Sequence, residues 1–371
     1  CSSDLWRGTR LLIRPMHEAL PRVLHINLAR GWRGGEQQTW LLMQALAGKG
    51  YVQGLCAYPE SPIATAARSL DNVRIVPPGR CLAFPWRVGD WTIAHAHEAR
   101  GVYVAWWLKR LRGIRYIVTR RMQQAPRDRF VTRLAYQQAD KLVGISSAAC
   151  ESMHSLAPGH EIACIPSAHS GRLPDREAAA AIRWNMCPEP GAMLFGHAGA
   201  LRASHKGQRV LIEATKRLRA LGYPVEVIFF GEGPDRNTLE NETSALHWIR
   251  FVGQVSPIQD HLAAVDLFAF PSRHEGLGSV LLEAMLAEVP VIATRVGGIP
   301  DIIEDSASGL LVEPNDPVAL CDAVGELIDN PKRADRFIAH ALHIAESMRP
   351  EAMGAQYAEI YEAYPSFLPI S

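Results

Sequence analysis

Two glutamates separated by seven residues enclose a glycine-rich segment in the second half of the chain. The acids are Glu275 and Glu283, and the four residues directly after the first acid are Gly276, Leu277, Gly278 and Ser279. Carboxylates accept hydrogen bonds from hydroxyl groups, and glycines let a ligand approach the backbone closely. In a fully helical segment the two acids would lie about 12 Å apart, at 1.5 Å per residue. This spacing suits one acid contacting a sugar and the other a ribose, with a diphosphate between them.

The residues on either side of this segment predict a strand and then a helix. An apolar run over residues 266–270 ends at Pro271 and is typical of a buried parallel strand. Residues 280–286 combine good helix formers with an apolar face. The glycines are therefore expected in a strand-to-helix loop, where free backbone N–H groups and the helix dipole favour a bound anion. An ordinary loop with surface acids is the alternative, and the paired carboxylates favour a ligand site over it.

A second glycine-containing loop is predicted near the start of the chain. Residues 22–27 are typical of a buried strand, and a helix is predicted over residues 37–47. Gly34, Gly35 and Glu36 lie between these two elements. The G-x-G-x-x-G pattern is absent, so no dinucleotide fingerprint is predicted. The glycines indicate either a ligand close to the backbone or a plain tight turn.

Polar residues also follow two later strands of the predicted first sheet. A strand over residues 91–98 places His95 and His97 on one side, which invites a metal interpretation. We predict no metal site, because no third ligand is identifiable and the chain contains no Asp-x-Asp. His95 is interpreted as a core histidine and His97 as the ligand-facing one, since ligands bind at the carboxyl ends of parallel strands. Arg120 and Arg121 end the next strand and are candidates for binding a phosphate-bearing ligand.

The formal net charge of +1 conceals an uneven distribution of charge along the chain. Residues 1–170 contain 22 Lys and Arg against 11 Asp and Glu, a balance of +11, which leaves −10 for the rest. This asymmetry predicts two domains with different partners, the basic one facing something anionic. One predicted helix and its exit carry aromatic and basic side chains that fit either a core or an interfacial patch: Tyr103, Trp106, Trp107, Lys109, Arg110, Arg112 and Arg115. No nucleic-acid-reading motif accompanies the charge, so no nucleic acid partner is predicted.

The composition is that of a globular protein with room for two domains. The chain has 371 residues, of which 48% are hydrophobic. No apolar run approaches the roughly 18 residues of a membrane span, and no signal peptide is evident. Seven scattered cysteines without a C-x-x-C pair predict reduced thiols in a cytoplasmic protein without structural zinc. Residues 1–15 are unlike a native start, and we expect a non-native or disordered leader there.

The motif around Glu275 resembles the nucleotide-sugar domain of retaining glycosyltransferases of family 4. The resemblance is strongest over residues 192–313 and weaker over residues 22–166. It implies that Glu275 contacts the transferred sugar and that Glu283 contacts the nucleotide ribose. It further implies several roles that the residues alone do not establish: His97 near the donor sugar, Lys206 on the diphosphate, Gly34 and Gly35 beside the phosphates and acceptor, and Gly231 near the base. An alanine, Ala200, stands where the family often has an arginine, so that role is assigned to Arg202.

The resemblance implies the GT-B fold, in which two doubly wound parallel α/β domains face each other across a cleft. Regular alternation of strands and helices supports the α/β class independently. We expect an acceptor domain over residues 16–172 and a nucleotide-sugar domain over residues 173–350. A final helix in residues 351–371 should return to the first domain. Residues 167–190 are predicted as the linker region.

The implied activity is metal-independent transfer of a sugar, with retention, from a nucleotide-diphosphate sugar to a glycan or glycolipid hydroxyl. No cofactor is expected. The resemblance points to cell-envelope synthesis of the lipopolysaccharide type at the inner face of the cytoplasmic membrane. Glu36, Arg120 and Arg121 are the acceptor or phosphate candidates. Two alternatives stay open: a nucleotide-sugar epimerase of the same fold, which needs no second substrate, and a non-catalytic sugar-nucleotide-binding subunit.

Overall fold

A computed structural model describes residues 20–186, 189 and 191–364 of the chain. The expected leader at residues 1–15 lies outside the described residues. Two α/β domains are present, each built on one parallel sheet with helices against its faces. The α/β class predicted from the alternation of elements is confirmed.

The first domain is built on a sheet of seven parallel strands in the order β3-β2-β1-β4-β5-β6-β7. Its strands are β1 (Val23–Ile26), β2 (Gln53–Cys56), β3 (Val73–Val76), β4 (Ile93–Ala96), β5 (Arg115–Arg120), β6 (Lys141–Gly144) and β7 (Ile162–Cys164). Its helices are α1 (Gly34–Ala47), α2 (Pro62–Ala67), α3 (Pro78–Ala83), α4 (Ala99–Arg112), α5 (Phe130–Gln137) and α6 (Ser147–His154), with a 3-10 turn at Pro85–Arg87.

The second domain is built on six parallel strands in the order β10-β9-β8-β11-β12-β13. Its strands are β8 (Met193–Ala198), β9 (Val225–Phe230), β10 (Ile249–Gly253), β11 (Leu267–Phe270), β12 (Val291–Thr294) and β13 (Leu310–Val312). Its helices are α7 (Arg176–Met186), α8 (Ala203–Lys206), α9 (Gln208–Ala220), α10 (Arg236–Glu242), α11 (Ile258–Leu262), α12 (Val280–Leu286), α13 (Pro317–Asp329) and α14 (Pro331–Ser347), with a 3-10 turn at Ile299–Asp301.

Both sheets reverse their strand order at one point, and those points locate a cleft. In the first sheet the reversal lies between β1 and β4, and in the second it lies between β8 and β11. Ligands of open α/β sheets bind outside the carboxyl ends of the strands at such a switch point. The loops that leave β1, β4, β8 and β11 are therefore the segments expected to hold a ligand.

The start of α1 differs from the sequence-based expectation. The helix begins at Gly34 rather than at residue 37, so Gly34 and Gly35 form its first turn. A capping box at Arg33 explains the early start, because the Arg33 backbone N–H donates to Glu36 Oε2 at 3.0 Å. One of the free N–H groups of the helix end is thus satisfied, which offsets the low helix propensity of the two glycines.

The predicted linker is also shorter than expected. Residues 176–186, inside the expected linker, form α7, which packs against α11 of the second domain. Arg183 fixes this helix by donating to Asp266 Oδ2 at 2.8 Å. The irregular connection between the domains therefore lies between β7 and α7.

The last described helix, α15 (Pro350–Glu362), crosses back to the first domain. Tyr357 and Tyr361 are fully buried in one core cluster with Val23 and Leu42 of β1 and α1. Gly354 permits the close approach, because a Cβ there would lie 2.6 Å from the Cβ of Ala45. Among the described residues, no helix is long and apolar enough to cross a membrane.

Candidate active site

The glycine loop after β11 touches the first domain directly. Ser146 Oγ donates to the carbonyl oxygen of Gly276 at 2.7 Å, and a Cβ at Gly276 would overlap the carbonyl oxygen of Arg121. Gln123 Nε2 is 3.0 Å from His274 Nδ1 across the same contact. Only a residue without a side chain fits at Gly276, so this glycine joins the carboxyl edges of the two sheets.

Lys206 and Glu275, both predicted as site residues, form an ion pair in this cleft. Lys206 Nζ donates to Glu275 Oε2, and the two side chains are 21% and 16% exposed. The ammonium group also lies 5.2 Å from the centroid of the Phe270 ring, a cation–π distance. A partly buried cation and a carboxylate are therefore held together at the end of β11, where each neutralises the other.

A glycine in the left-handed conformation places Lys206. Gly207 has φ +67, and a Cβ there would overlap the carbonyl oxygen of Pro271. This approach brings the loop after β8 onto the loop after β11, where Arg273 N donates to His205 O at 2.7 Å. Lys206 therefore reaches Glu275 because two backbone segments meet without an intervening side chain.

Glu283 accepts hydrogen bonds from residues outside its own loop. Its Oε1 accepts from Ser170 N at 2.7 Å, and its Oε2 accepts from Ser170 Oγ and Gln259 Nε2, each at 2.9 Å. Burial raises the pKa of Glu283, and the hydrogen bonds from Gln259 and Ser170 oppose that rise. A carboxylate has about four acceptor positions, so the contacts from the described residues leave one position on Oε1 unused. Ser170 and Gln259 carry no sequence signal that links them to Glu283.

His97 belongs to a buried cluster of three histidines. His25, which the sequence did not indicate, joins His95 and His97, and their ligand nitrogens all lie within 4.8 Å of one another. The expectation that no third potential ligand exists is therefore wrong. Each of the three imidazoles already has polar partners, and the guanidinium of Arg121 lies 3.5 Å from His97 Nδ1. An adjacent cation disfavours a metal ion, so we interpret the cluster as a hydrogen-bond network. Metal independence stays a prediction.

His95 is a satisfied core histidine, as interpreted from the sequence. Its Nδ1 is 2.6 Å from the Tyr361 hydroxyl and its Nε2 is 2.7 Å from Thr119 Oγ1. Thr119 in turn lies 2.9 Å from the hydroxyl of Tyr357. The returning helix α15 thus supplies polar as well as apolar contacts to the first sheet.

Arg120 and Arg121 differ in what surrounds them. Arg120 is buried and donates to the carbonyl oxygen of Gln124. Arg121 lies beside Gly35 and Gly276, and its Nε has no hydrogen-bond partner among the described residues. Burial lowers the pKa of Arg121, while Tyr357, Glu36 and Tyr361 oppose that shift. Arg121 therefore offers donors at the point where both domains meet.

The other predicted site residues have separate positions. Arg202 precedes α8 and is exposed, with no recorded side-chain partner in the described part of the chain. Gly231, at φ +131, has a structural reason to be glycine, because a Cβ would overlap the carbonyl oxygen of Gly199. Leu277 is buried, Gly278 has φ +84, and Ser279 directly precedes the seven residues of α12. Roles for these residues in donor binding stay predictions.

Residues 192–330, which form most of the second domain, match the family model described as glycosyl transferases group 1. We call this part of the chain the group 1 domain, for its similarity to the group 1 glycosyl transferases. The family resemblance inferred from the motif around Glu275 is thereby confirmed.

Curated relatives extend the similarity over more of the chain. The D-inositol 3-phosphate glycosyltransferase of Corynebacterium urealyticum is 28% identical over 321 residues, covering 78% of this chain and 75% of the relative. The alpha-D-kanosaminyltransferase of Streptomyces kanamyceticus is 32% identical, over 43% of each chain. The N-acetyl-alpha-D-glucosaminyl L-malate synthase of Bacillus anthracis is 26% identical, over 62% of this chain and 61% of the relative.

The whole architecture is also similar to solved structures. Anabaena HepE, in complex with UDP and glucose, gives a TM-score of 0.81 at 16% identity, over 92% of this chain and all of HepE. A glycosyltransferase from Rickettsia africae gives 0.75 at 16% identity, over 93% and 98% of the two chains. The GT-B fold is therefore confirmed, and the group 1 domain is a glycosyltransferase domain.

The buried histidines lead to a prediction about stability in acid. Burial lowers the pKa of His25 and of His197 to about 4, and lowers the pKa values of His95 and His97 well below 6.5. The unfolded chain binds protons near pH 6.5, so the free energy of unfolding should fall as the pH decreases from 6.5 towards 4. Each histidine contributes up to about 1.4 kcal/mol per pH unit, or about 5 kcal/mol per pH unit for all four.

Urea unfolding between pH 7 and pH 5 measures this slope. Replacing the buried His197 with Asn should reduce the slope by about a quarter, whereas replacing the exposed His154 with Gln should leave it unchanged. A free energy of unfolding that does not change over this range would contradict the assignment of these histidines as neutral groups.

Proposed function

We propose that this protein is a retaining glycosyltransferase that moves a sugar from a nucleoside-diphosphate donor to a hydroxyl of an anionic, lipid-linked acceptor. The observation that carries the proposal is the Lys206–Glu275 pair, held at the switch point of the group 1 domain and facing the first domain. A cation for a leaving diphosphate and an acceptor for sugar hydroxyls thus occupy one place. We propose no cofactor.

Donor binding would exchange the partners of this pair. The diphosphate would bind Lys206, and the sugar hydroxyls would donate to the Glu275 carboxylate that Lys206 now neutralises. Two opposite charges in a partly buried site are stable only while each has a partner. The ion pair therefore gives each of the two groups a partner that the donor can replace.

The proposed reaction requires stabilisation of a cationic sugar and a departing diphosphate together. The bond between the anomeric carbon and the diphosphate oxygen breaks, and the acceptor oxygen bonds to that carbon from the same face. The acceptor proton passes to an oxygen of the departing phosphate. Lys206 stabilises the negative charge that develops on that phosphate, and Glu275 positions the sugar. The chain has no Asp-x-Asp, so we propose that no metal ion takes part.

An unpaired donor in the first domain supports an anionic acceptor. Arg121 lies between the glycines of both domains with its Nε unpartnered, and a phosphate or carboxylate would satisfy it. Two of the relatives are named for an anionic compound, D-inositol 3-phosphate in one and L-malate in the other. Glu36 is an unfavourable anion contact at this place, because its carboxylate carries the same sign of charge as a phosphate. It accepts from the Arg33 N–H instead.

A surface of the first domain supports a lipid-linked acceptor. Five exposed apolar side chains form what we call the aromatic patch: Leu82, Phe84, Trp86, Trp107 and Leu111. The patch is one surface, because Trp107 Nε1 donates to Leu82 O at 3.2 Å and the Phe84 and Trp86 rings meet at 6.1 Å. Arg87 lies over the Phe84 ring at 5.7 Å. Exposed aromatics with nearby cations suit the interface of an anionic bilayer.

Two of the basic residues expected in this patch, Lys109 and Arg112, already donate hydrogen bonds to other residues of the first domain. Lys109 donates to Asp140 Oδ2 at 2.9 Å and to Gln138 O at 2.8 Å, and Arg112 donates to Pro85 O at 2.9 Å. These side chains stabilise the fold, so the membrane contribution is assigned to the aromatic patch and its remaining cations. We propose that the protein acts at the inner face of a cytoplasmic membrane in cell-envelope synthesis of the lipopolysaccharide type. The free state of the five described cysteines is consistent with a reducing compartment.

The activity itself is tested with a panel of nucleotide sugars, a phosphorylated glycolipid acceptor and excess chelator. Transfer should persist in chelator and yield a product that retains the anomeric configuration of the donor. Lys206→Ala should reduce kcat by about 100-fold or more, the scale of a lost electrostatic contact to a leaving group. Activity that disappears in chelator and returns with a divalent ion would contradict metal independence. A new sugar nucleotide formed without acceptor would identify an epimerase instead.

Donor binding by Glu283 is tested by calorimetry with the nucleoside diphosphate. Glu283→Ala should weaken binding by about 1–3 kcal/mol, the scale of a hydrogen bond to a charged group. Ser170→Ala is the matched control, because it removes a protein partner of the same carboxylate and leaves the acceptor position for the ribose. Unchanged affinity in Glu283→Ala would rule out the ribose contact.

Membrane binding is tested by sedimentation with anionic and neutral vesicles. The protein should sediment with anionic vesicles at low salt and be released at high salt, because basic residues contribute about 1 kcal/mol each and that attraction is screened. Trp86→Ser should weaken this binding. Trp184→Ser, at a still more exposed tryptophan of α7 in the other domain, should not. A protein that stays in solution with anionic vesicles at low salt would point to a soluble acceptor.

A further inference from the structure

A chain of hydrogen bonds runs from Arg121 in the cleft, through histidines of β4 and β1, to Gln53 of β2 and Met43 of α1. Arg121 Nη2 lies 3.5 Å from His97 Nδ1, and His97 Nε2 lies 2.9 Å from His25 Nδ1. His25 Nε2 lies 3.0 Å from Gln53 Oε1, and Gln53 Nε2 donates to the carbonyl oxygen of Met43 at 2.9 Å. We call these four contacts the imidazole relay. His25 and Gln53 are fully buried, so water does not replace their partners, and His97 is the relay imidazole at the cleft end.

Both ends of the imidazole relay fix the direction of every hydrogen bond in it. A guanidinium group only donates and a backbone carbonyl only accepts. The bond to Met43 O orients the Gln53 amide with its oxygen towards His25, so His25 Nε2 must carry a hydrogen. His25 is neutral, since burial lowers its pKa to about 4, and its Nδ1 therefore accepts from the His97 Nε2–H. His97 is left with an unprotonated Nδ1 at the cleft end.

The neighbouring histidine has no such constraint. His95 lies between the hydroxyls of Tyr361 and Thr119, and each hydroxyl can either donate or accept. Either tautomer of His95 is therefore compatible with its partners. His25 and His95 are register partners in β1 and β4. The fold dictates the proton position of His25 but not that of His95.

We propose that His25 and Gln53 are positioning residues that hold His97 in the Nε2–H tautomer, so that its Nδ1 accepts a hydrogen bond from a hydroxyl of the transferred sugar. This inference rests on the proposed function and on the family resemblance, which implies that His97 lies near the donor sugar. The contact to Arg121 at 3.5 Å is the longest of the relay, so it is the one that an incoming hydroxyl can replace. Arg121 would then be released towards the anionic group of the acceptor.

The tautomers can be measured on the unmodified protein by two-bond proton–nitrogen correlation of 15N-labelled imidazoles at pH 7. We expect His25 and His97 both as neutral Nε2–H tautomers, with signals assigned from their loss in His25→Asn and His97→Gln. An Nδ1–H tautomer or a protonated ring at His97 would overturn the proposal. Stoichiometric binding of Zn²⁺ added alone, with shifts at His25, His95 and His97, would also overturn it, since a metal needs the lone pairs that the relay uses.

Gln53→Glu reverses the relay by adding one proton to it. When the His25 imidazole holds that proton beside the new carboxylate, His25 Nδ1 becomes a donor to His97 Nε2, and His97 must adopt the Nδ1–H tautomer. A carboxyl that kept the proton on its bond to Met43 O would leave the directions unchanged. We expect kcat/KM at pH 6 to fall about 10- to 100-fold and to recover as the pH rises and the added proton leaves. The unmodified protein should show no such alkaline recovery. A uniform loss at every pH would indicate a structural role for Gln53 and contradict the proposal.

Two further variants separate the relay from general packing. Tyr357→Phe removes a hydroxyl from the hydrogen-bond chain of His95 at an equally buried site, and it should leave the His97 tautomer unchanged. Gln53→Met introduces no buried charge and leaves only the 3.5 Å contact with Arg121 to bias His97. It should therefore give a mixture of His97 tautomers even if Gln53→Glu does not fold. A single Nε2–H tautomer in Gln53→Met would show that Gln53 does not set it.

The outcomes also distinguish this proposal from the proposed function. Finding the expected tautomers without any sugar transfer would refute the glycosyltransferase assignment and leave the relay intact. Finding transfer with His97 in the other tautomer would refute the relay and leave the assignment intact.

Discussion

The contact of the Gly276 backbone with the Arg121 carbonyl is the constraint on which the rest of the site depends. It brings the carboxyl edges of two separate sheets together without an intervening side chain. Lys206 and Glu275 on one side and His97 and Arg121 on the other then share one cleft. A Cβ at Gly276 would force the sheets apart, and the two halves of the site would separate with them.

The cleft pairs most of its charged and titratable groups with neighbouring side chains and backbone. Lys206 and Glu275 neutralise each other, Glu283 is held by Ser170 and Gln259, and the buried histidines stay neutral. Each arrangement avoids the cost of an unpartnered buried polar group. Among the described residues, the Nε atoms of Arg120, Arg121 and Arg273 depart from this rule. A site whose groups are mostly paired in advance can bind a substrate by exchanging partners rather than by creating charge.

The sequence predicted those parts of the site that share a local pattern. Glu275, Glu283 and the helix over residues 280–286 follow from spacing and periodicity, and Lys206 follows from the family motif. His25 and Gln53 were missed, because a single polar residue in an apolar strand has no spacing signal and acquires its partners only when the sheet assembles. The start of α1 was misplaced because low glycine propensity outweighed the capping contribution of Glu36.

The return of α15 to the first domain affects the order in which the chain can fold. Its tyrosines complete a core with β1 and α1, and Tyr51 donates to Glu362 across 311 residues of sequence. During synthesis the first domain therefore keeps an apolar face exposed until the group 1 domain and α15 have been made. Contacts of such long range slow folding and leave partly folded chains prone to association. The first domain is thus synthesised before the second and completed after it.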